Sequence, residues 1–457
     1  MKVKRNRSLR ERKTRKPRKK NRTKKYIRGG EAIDSGGYGC VFQPALKCKS
    51  LNPNATISQN TKNISKLMST QDAKEEYAIL QKFANIIKYS HKTDMFRFMV
   101  LSGITMCQVS PTQYDIDQYN KNCGRLVEKN GMNNISGLMA LNIPYAGKNL
   151  LKMFNELRLQ NSPINKRIVI EYFKKMRVLF QEGVLLLYET KPKIIHGDLK
   201  EENILCQYNE SFTNIYDEIK LIDWGLSFTY DEKNNPKEAI RQLSRRPLQF
   251  NLPFGILLFS KYFDREYTSM VLTPLKNNQN NPKSLIDDLV IQFCNSYYND
   301  SFFTKGKDDS KPNVLKDFYN FVYLVMGEAN VSILEMSLTD YIRLNLSKIL
   351  IKYTKYTSEW TWIFDKESYA YEYYLPMVDT YGFILTYCNV LSYLLHARKN
   401  SFRISNQPNI DSLILSITEQ LKLYCFVFDE RIDGNTYRIK VSQSINKMTN
   451  LCIDLLK

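Results

Sequence analysis

The chain has 457 residues, with 67 Lys or Arg against 46 Asp or Glu and a formal net charge of +21. That length excludes a peptide-sized binder and exceeds most single cores, so two lobes or domains are expected. Sixteen of the basic residues and one acid lie within residues 1–28, which leaves +6 for the remainder, so the basicity is mainly that of a tail.

Residues 1–28, "MKVKRNRSLRERKTRKPRKKNRTKKYIR", have no apolar face at helical spacing. They cannot bury enough surface to offset their ordering entropy, which predicts a disordered basic arm without the apolar core of a signal peptide. Clustered positive charge favours polyphosphate and acidic surfaces, so the arm is expected to tether nucleic acid or an acidic protein or to serve as a nuclear address, beside the plain reading of a solvated segment. Next, "EAIDSGGYGCVFQPAL" alternates around a glycine cluster and predicts strand, tight turn and strand. "KNISKLM" at 62–68 predicts a strand, and "TQDAKEEYAILQKFANII" predicts a helix with its cap at Thr70. "DMFRFMVLS" and "SGLMALNIPYAG" predict further strands, separated by a polar stretch around 107–134.

From "NKRIVIEYFKKMRVLFQEGVLLLY" onward the pattern turns helical, interrupted by "IIHGDLKEENIL" at 194–205 and by "EIKLIDWGLSF" at 218–228, a short strand ending in an acid and a glycine. Residues 254–378 carry apolar helical patches, an Asn-rich loop and aromatic clusters without a chemical motif. "YGFILTYCNVLSYLLHA" at 381–397 is short for a membrane span and holds Tyr, Thr, Asn and His, so it predicts a buried helix and no span. The nine cysteines stand singly and the histidines (His91, His196, His396) are far apart, so reduced thiols are expected, with no disulfide framework or zinc site. The chain reads as α+β, a β-rich part of roughly 120 residues followed by a larger helical one.

The polar run at 194–205 sets Asp198, Lys200 and Asn203 between Ile194, Ile195 and Ile204, Leu205, so these groups are expected to be held rigidly by buried anchors. Gly36 and Gly39 stand three apart, a spacing that lets backbone N–H groups approach phosphate oxygens and equally suits a plain hairpin turn. Lys66 on a strand and Glu76 on the following helix are placed to pair, although each alone reads as a solvated charge. In "LIDWG", Leu221 and Ile222 deliver Asp223 to a bend at Gly225; taken singly this is an ordinary strand end. Asp223 and Asn203 together supply the hard oxygen ligands that magnesium accepts.

This ordered set resembles the eukaryotic-type protein kinases over residues 33–228, with a further match at "DTYGFILTY". The resemblance implies a bilobal protein-kinase-like fold: a small antiparallel β-rich N-lobe at 29–143 and a large helical C-lobe at 144–457 with a helical insert at 254–378. It implies binding of ATP with Mg2+, or Mn2+ as an alternative. Ile33, Asp34, Ser35, Gly36, Gly37, Tyr38, Gly39, Cys40 and Val41 would form the glycine-rich lid, Lys66 would contact the phosphates, and Glu76 would pair with it, Glu75 being the alternative. Residues 143–147 would receive adenine. Asp198 would accept or orient the proton of a protein hydroxyl, Lys200 would stabilise the transferring phosphoryl group, and Asn203 and Asp223 would hold the metal. Asp379 looks like the buried helix acid that anchors the catalytic loop in this family, and Lys200 two residues after the aspartate looks like the serine/threonine class.

The chain also departs from the family pattern. Asp34 stands where the first loop glycine is usual, Gly197 where an arginine precedes the catalytic aspartate, and "RRPLQFNLPFGILLF" where A-P-E is usual. The glycine at 197 removes the expected basis for control by a phosphorylated activation loop. The basic tail, the "SKLM" strand and the "QFNLPFGILLF" segment look like protein kinases encoded by large nucleocytoplasmic DNA viruses, which implies action inside an infected host cell, in nucleus or cytoplasm, with or without packaging in the virion. The competing readings are a small-molecule or lipid kinase on the same scaffold and a catalytically silent kinase-like scaffold.

Overall fold

Alternation around the glycine cluster produces an antiparallel hairpin, β1 (Glu31–Gly36) with β2 (Gly39–Gln43), in which Ser35 faces Cys40 and Gly36 faces Gly39. The structure is a computed structural model that describes residues 29–36, 39–49, 62–124, 126, 135–160, 164–209, 211–231, 236–272, 282–299, 320–325, 331–356, 362–400, 407–425 and 431–457. Residues 1–28, Gly37 and Tyr38 lie outside these.

β3 (Asn63–Met68), β4 (Thr105–Gln108) and β5 (Met139–Pro144) complete an antiparallel five-stranded sheet of order β1-β2-β3-β5-β4. Strand residues alternate between faces. Cys40, Phe42, Leu67 and Ala140 enter a small buried cluster on one face, while Val41, Lys66 and Leu141 stand in register on the other. Helix α1 (Thr70–Tyr89) is capped by Ser69, one residue before the expected position, whose hydroxyl accepts from the Asp72 N–H. Its buried positions, Ala73, Glu76, Leu80, Phe83 and Ile87, recur at helical spacing and turn Glu76 inward with them.

Two elements differ from expectation. "DMFRF" forms a 3-10 turn, Thr93–Phe98, rather than a strand, because Met95 and Phe98 bury at a three-residue interval. The polar stretch 107–134 begins within β4 and contains helix α2 (Gln113–Asn122), which with the following Cys123 covers the small cluster through Tyr119. Few apolar residues mark α2, but Thr112 and Asp115 form a reciprocal capping box, and the Asp115 carboxylate also accepts from the Gly30 N–H at 2.7 Å.

The expectation of reduced thiols throughout is overturned. Cys40 on β2 is bonded to Cys123 beyond α2, and Cys48 to Cys107 on β4, across sequence separations of 83 and 59. Isolated cysteines meet here because sheet topology, not local spacing, brings them together. Cys206, Cys294, Cys388, Cys425 and Cys452 remain free.

The second part is built on helices α3 (Leu150–Leu159) and α4 (Lys166–Leu179), the latter burying Ile168, Val169, Tyr172, Phe173, Met176 and Leu179. Strands β6 (Lys148–Asn149), β7 (Lys193–Ile195), β8 (Ile204–Tyr208), β9 (Ile215–Leu221) and β10 (Phe228–Tyr230) form two small sheets, β6-β8-β9 and β7-β10. Helix α5 (Pro236–Leu243) precedes a buried turn at Phe254–Phe259. Helices α6 (Lys261–Tyr267), α7 (Pro282–Asn299) and α8 (Val331–Tyr353) follow, and Phe263, Phe293 and Ile349 join the same apolar core as α4. The 381–397 run divides between α9 (Leu375–Leu385), buried along its whole length, and α10 (Tyr387–Asn400); α11 (Gln407–Cys425) and α12 (Gly434–Leu456) close the bundle. No helix among the described residues is long and apolar enough to cross a membrane.

Thiol titration of the denatured, unreduced chain is expected to find five reactive thiols, rising to nine after reduction. Nine before reduction would show that the two bonds do not form.

Candidate functional site

Between the sheet and the helical part, Lys66 on β3 joins two carboxylates. Its ammonium lies 2.9 and 2.8 Å from the two Glu76 oxygens and 3.1 Å from Asp223 Oδ1. Burial works against the Lys66 charge, but Asp223 and Glu76 outweigh it and hold the ammonium above its ordinary range. Burial raises the Glu76 carboxyl, with Lys66 opposing. At Asp223, desolvation in the cleft is outweighed by Lys66, which holds the carboxyl below its ordinary value. The alternative partner Glu75 bonds instead to Gln71 on the exposed side of α1.

Asn203 and Asp223 are distant in sequence, yet the β8–β9 ladder pairs Ile204 with Leu221, and the Ile222 N–H donates to the Asn203 carbonyl at 3.1 Å. Asp223 takes φ 64° and ψ 69°, a left-handed conformation that costs a non-glycine residue about 1–3 kcal/mol and persists only where surroundings impose it. Its side chain keeps 43% exposure, so the carboxylate is both held by Lys66 and open to the cleft.

Asp198, Lys200 and Asn203 form one connected group. The Asn203 amide donates to the Asp198 carbonyl at 2.7 Å and to Asp198 Oδ2 at 3.1 Å, and Lys200 Nζ lies 3.0 Å from the same Oδ2. Burial lowers the Lys200 ammonium's preference for charge, and Asp198 more than restores it, raising its pKa. The other oxygen, Asp198 Oδ1, accepts from the Asn251 amide at 3.0 Å. Arg246 donates to the Gly197 carbonyl at 2.6 Å. Sequence reasoning missed Asn251 and Arg246. The available signal was Gly197, which stands where an arginine is usual in the family the sequence resembles, together with an arginine pair at 245–246.

The loop hangs from α9. Asp379 accepts from the His196 N–H at 2.7 Å and from the Gly197 N–H at 2.8 Å. Burial raises its carboxyl, opposed by His196 and by those two N–H groups. A Cβ on Gly382 would collide with the Leu199 carbonyl, so glycine permits α9 to approach this closely. The His196 ring lies 4.7 Å from Trp224, which meets Phe83 of α1 at 5.6 Å, so the loop, the Asp223 bend and α1 share one packed contact.

Of the lid residues named from sequence, Ile33, Asp34, Ser35 and Gly36 lie on β1, and Gly39, Cys40 and Val41 on β2. Gly37 and Tyr38 fall outside the described residues. The side chain of Cys40 is corrected: it is buried, disulfide-bonded and on the face away from Lys66, so only its backbone could serve a lid. Among the described residues no group of three or more His, Cys, Asp or Glu side chains could hold a metal. Asp223 and the Asn203 amide offer oxygen donors of the kind that hard cations accept. Neither protein-family models nor curated proteins match this sequence.

Two outcomes follow from the loop's surroundings. Asp379→Asn would keep an acceptor for one N–H but present an amide to the other, and should lower unfolding free energy by about 1–3 kcal/mol in urea titrations; an unchanged midpoint would contradict the anchoring role. Desolvation and the neighbouring Glu202 carboxylate push Glu201 from 4.5 up to about 7. The folded chain thus binds this proton more tightly than the unfolded one, so its stabilising contribution is full below 4.5 and is lost as pH rises through about 7. The melting temperature of Glu201→Gln should accordingly change less than that of the wild type across this window, and parallel curves would count against it.

Proposed function

We propose that the chain is an ATP-dependent serine/threonine protein kinase, transferring the γ-phosphoryl group of Mg-ATP to protein hydroxyls. The observation that carries the reading is the convergence of two charge groups on one cleft: Lys66 bonded to Glu76 and Asp223, and Asp198 bonded to Lys200 and Asn203. Phosphoryl transfer demands positioning and charge neutralisation more than covalent chemistry, and a clustered cation, base and pair of oxygen ligands suits that demand. The antiparallel sheet followed by a mainly helical part is compatible with the bilobal kinase-like fold.

In this reading Lys66 holds phosphate oxygens, with Glu76 fixing its direction. Asp198 orients the acceptor hydroxyl and takes its proton. Lys200 neutralises charge on the transferring group. Asn203 and Asp223 would hold Mg2+, which when bound neutralises and orients the phosphates. The β1–β2 hairpin covers the nucleotide, and residues 143–147, from the end of β5 to the start of β6, receive the base.

The test is incubation of the purified chain with labelled ATP, magnesium and mixed protein substrates, followed by phosphoamino-acid analysis. Labelled Ser and Thr are expected. Asp198→Ala should lower transfer by ~10²–10⁴-fold with nucleotide binding largely kept, since a positioned base contributes about that much. Full activity in that variant would overturn the assignment, and label only in small molecules would overturn the protein substrate.

A further inference from the structure

We propose that Arg246 is a positioning residue: from the segment after β10 it supplies the cation that the catalytic loop lacks at Gly197, and with Asn251 it fixes Asp198 in its working orientation without phosphorylation of that segment. The inference rests on the kinase reading of the same site and concerns how that site is switched on.

Gly197 has φ +71°, and a Cβ built there would stand 3.3 Å from the Leu226 carbonyl oxygen and 3.8 Å from Arg246 Nη1. The space beside the loop is therefore lined by the arginine of another segment. Arg246 Nη2 donates to the Gly197 carbonyl at 2.6 Å and to Gln249 Oε1 at 3.0 Å, and Nη1 to the Leu226 carbonyl at 3.4 Å. The guanidinium lies 3.9 Å from Asp198 Oδ1, and its side chain is only 9% exposed. One planar, permanently charged group thus ties its own segment to the loop and to the residue following the Asp223 bend.

Asn251, five residues on, completes the contact. Its amide donates to Asp198 Oδ1 at 3.0 Å and to the Leu199 carbonyl at 3.2 Å. Asp198 is then oriented from both sides: Oδ1 by Asn251 with Arg246 behind it, and Oδ2 by Asn203 and Lys200. Arg246 also opposes the rise that burial causes at Asp379, so it serves both acids that bracket the loop. When residues 246–251 dock, the charge of the loop is balanced and the base is aimed. Undocking would leave Asp198 without its Oδ1 donor and remove the buried cation from both acids. The docking contact is made by side chains of the segment itself, so no added phosphate is required to form it.

Transfer, nucleotide affinity and melting temperature are measured on the full chain for wild type, Arg246→Ala and Arg246→Lys. Arg246→Ala should lower kcat roughly 10- to 100-fold, the scale of a misplaced reacting group, with nucleotide affinity near wild type and a lower melting temperature, since a buried cation is removed. Guanidinium at a low, non-denaturing concentration should restore part of that kcat, whereas sodium chloride at equal ionic strength should not. Arg246→Lys, which keeps the charge but not the fork, should lie between the two and decides the matter if the alanine variant fails to fold. Phosphatase treatment of the wild type should leave its rate unchanged. Unchanged kcat in Arg246→Ala, equal loss of nucleotide binding, absence of guanidinium rescue, or a rate lost to phosphatase would each overturn the proposal. No transfer by the wild type would overturn the kinase reading instead. Hydrogen exchange at residues 195–203 then tests Arg246 separately, faster exchange in Arg246→Ala supporting its positioning role and identical exchange overturning it.

Discussion

The site depends on a carboxylate that takes no part in the proposed chemistry. Asp379 sits on a helix with every residue buried, and it accepts the backbone N–H groups of His196 and Gly197. A side chain bonded to backbone fixes the path of the chain rather than the rotamer of one residue. Asp198 follows directly on that path, and the turn Glu201–Asn203 carries Asn203 back to it. Because α9 is part of the main apolar core, displacing the anchor would mean opening that core, which is close-packed and yields little.

The other half of the site belongs to the sheet and has a different mechanical character. Lys66 is in register between β2 and β5, so its backbone is fixed, but its partners come from α1 and from the Asp223 bend. An ion pair across such a boundary has value only while both sides keep their positions. The Phe83–Trp224–His196 contact supplies the apolar support for this, joining α1 to the loop through rings rather than charges. The two disulfides stiffen the sheet from the opposite face, where Cys40 and Cys107 hold strands whose other side faces Lys66. Cross-links restrict the unfolded chain and the sheet's separation alike.

The parts of the site that were legible in sequence are those written within a few residues of one another. Asp198, Lys200 and Asn203 share a loop, and strand alternation with helix spacing was enough to put Lys66 and Glu76 on facing sides. Glu76 was preferred to Glu75 from that spacing, and the buried face of α1, on which Ala73, Glu76, Leu80 and Phe83 align, agrees. Of the long-range pairings, only that of Asp379 with the 194–205 loop was legible, through the family resemblance; the others were not. Cys40 and Cys123 become neighbours through α2, a helix with few apolar residues, and Asn251 reaches Asp198 across 53 positions. Nor was the turn at 93–98, where an apolar run serves a three-residue rather than a two-residue period.

The electrostatics of the cleft make one further point under the proposed function. Asp223 is held in a left-handed conformation with an ammonium at 3.1 Å, while its side chain remains partly open. Lys66 therefore already neutralises, within the protein, the charge that Asp223 would otherwise bring to a divalent cation. On binding Mg-ATP, Lys66 would exchange one carboxylate for phosphate oxygens, and Asp223 would exchange an ammonium for the metal. Each partner trades one opposite charge for another, so the cleft need not strip a bare ion to admit the ligand. Both charges are already paired when the chain folds, so binding would exchange partners rather than bury an unpaired charge, and binding energy would remain available for aligning the phosphate with Asp198.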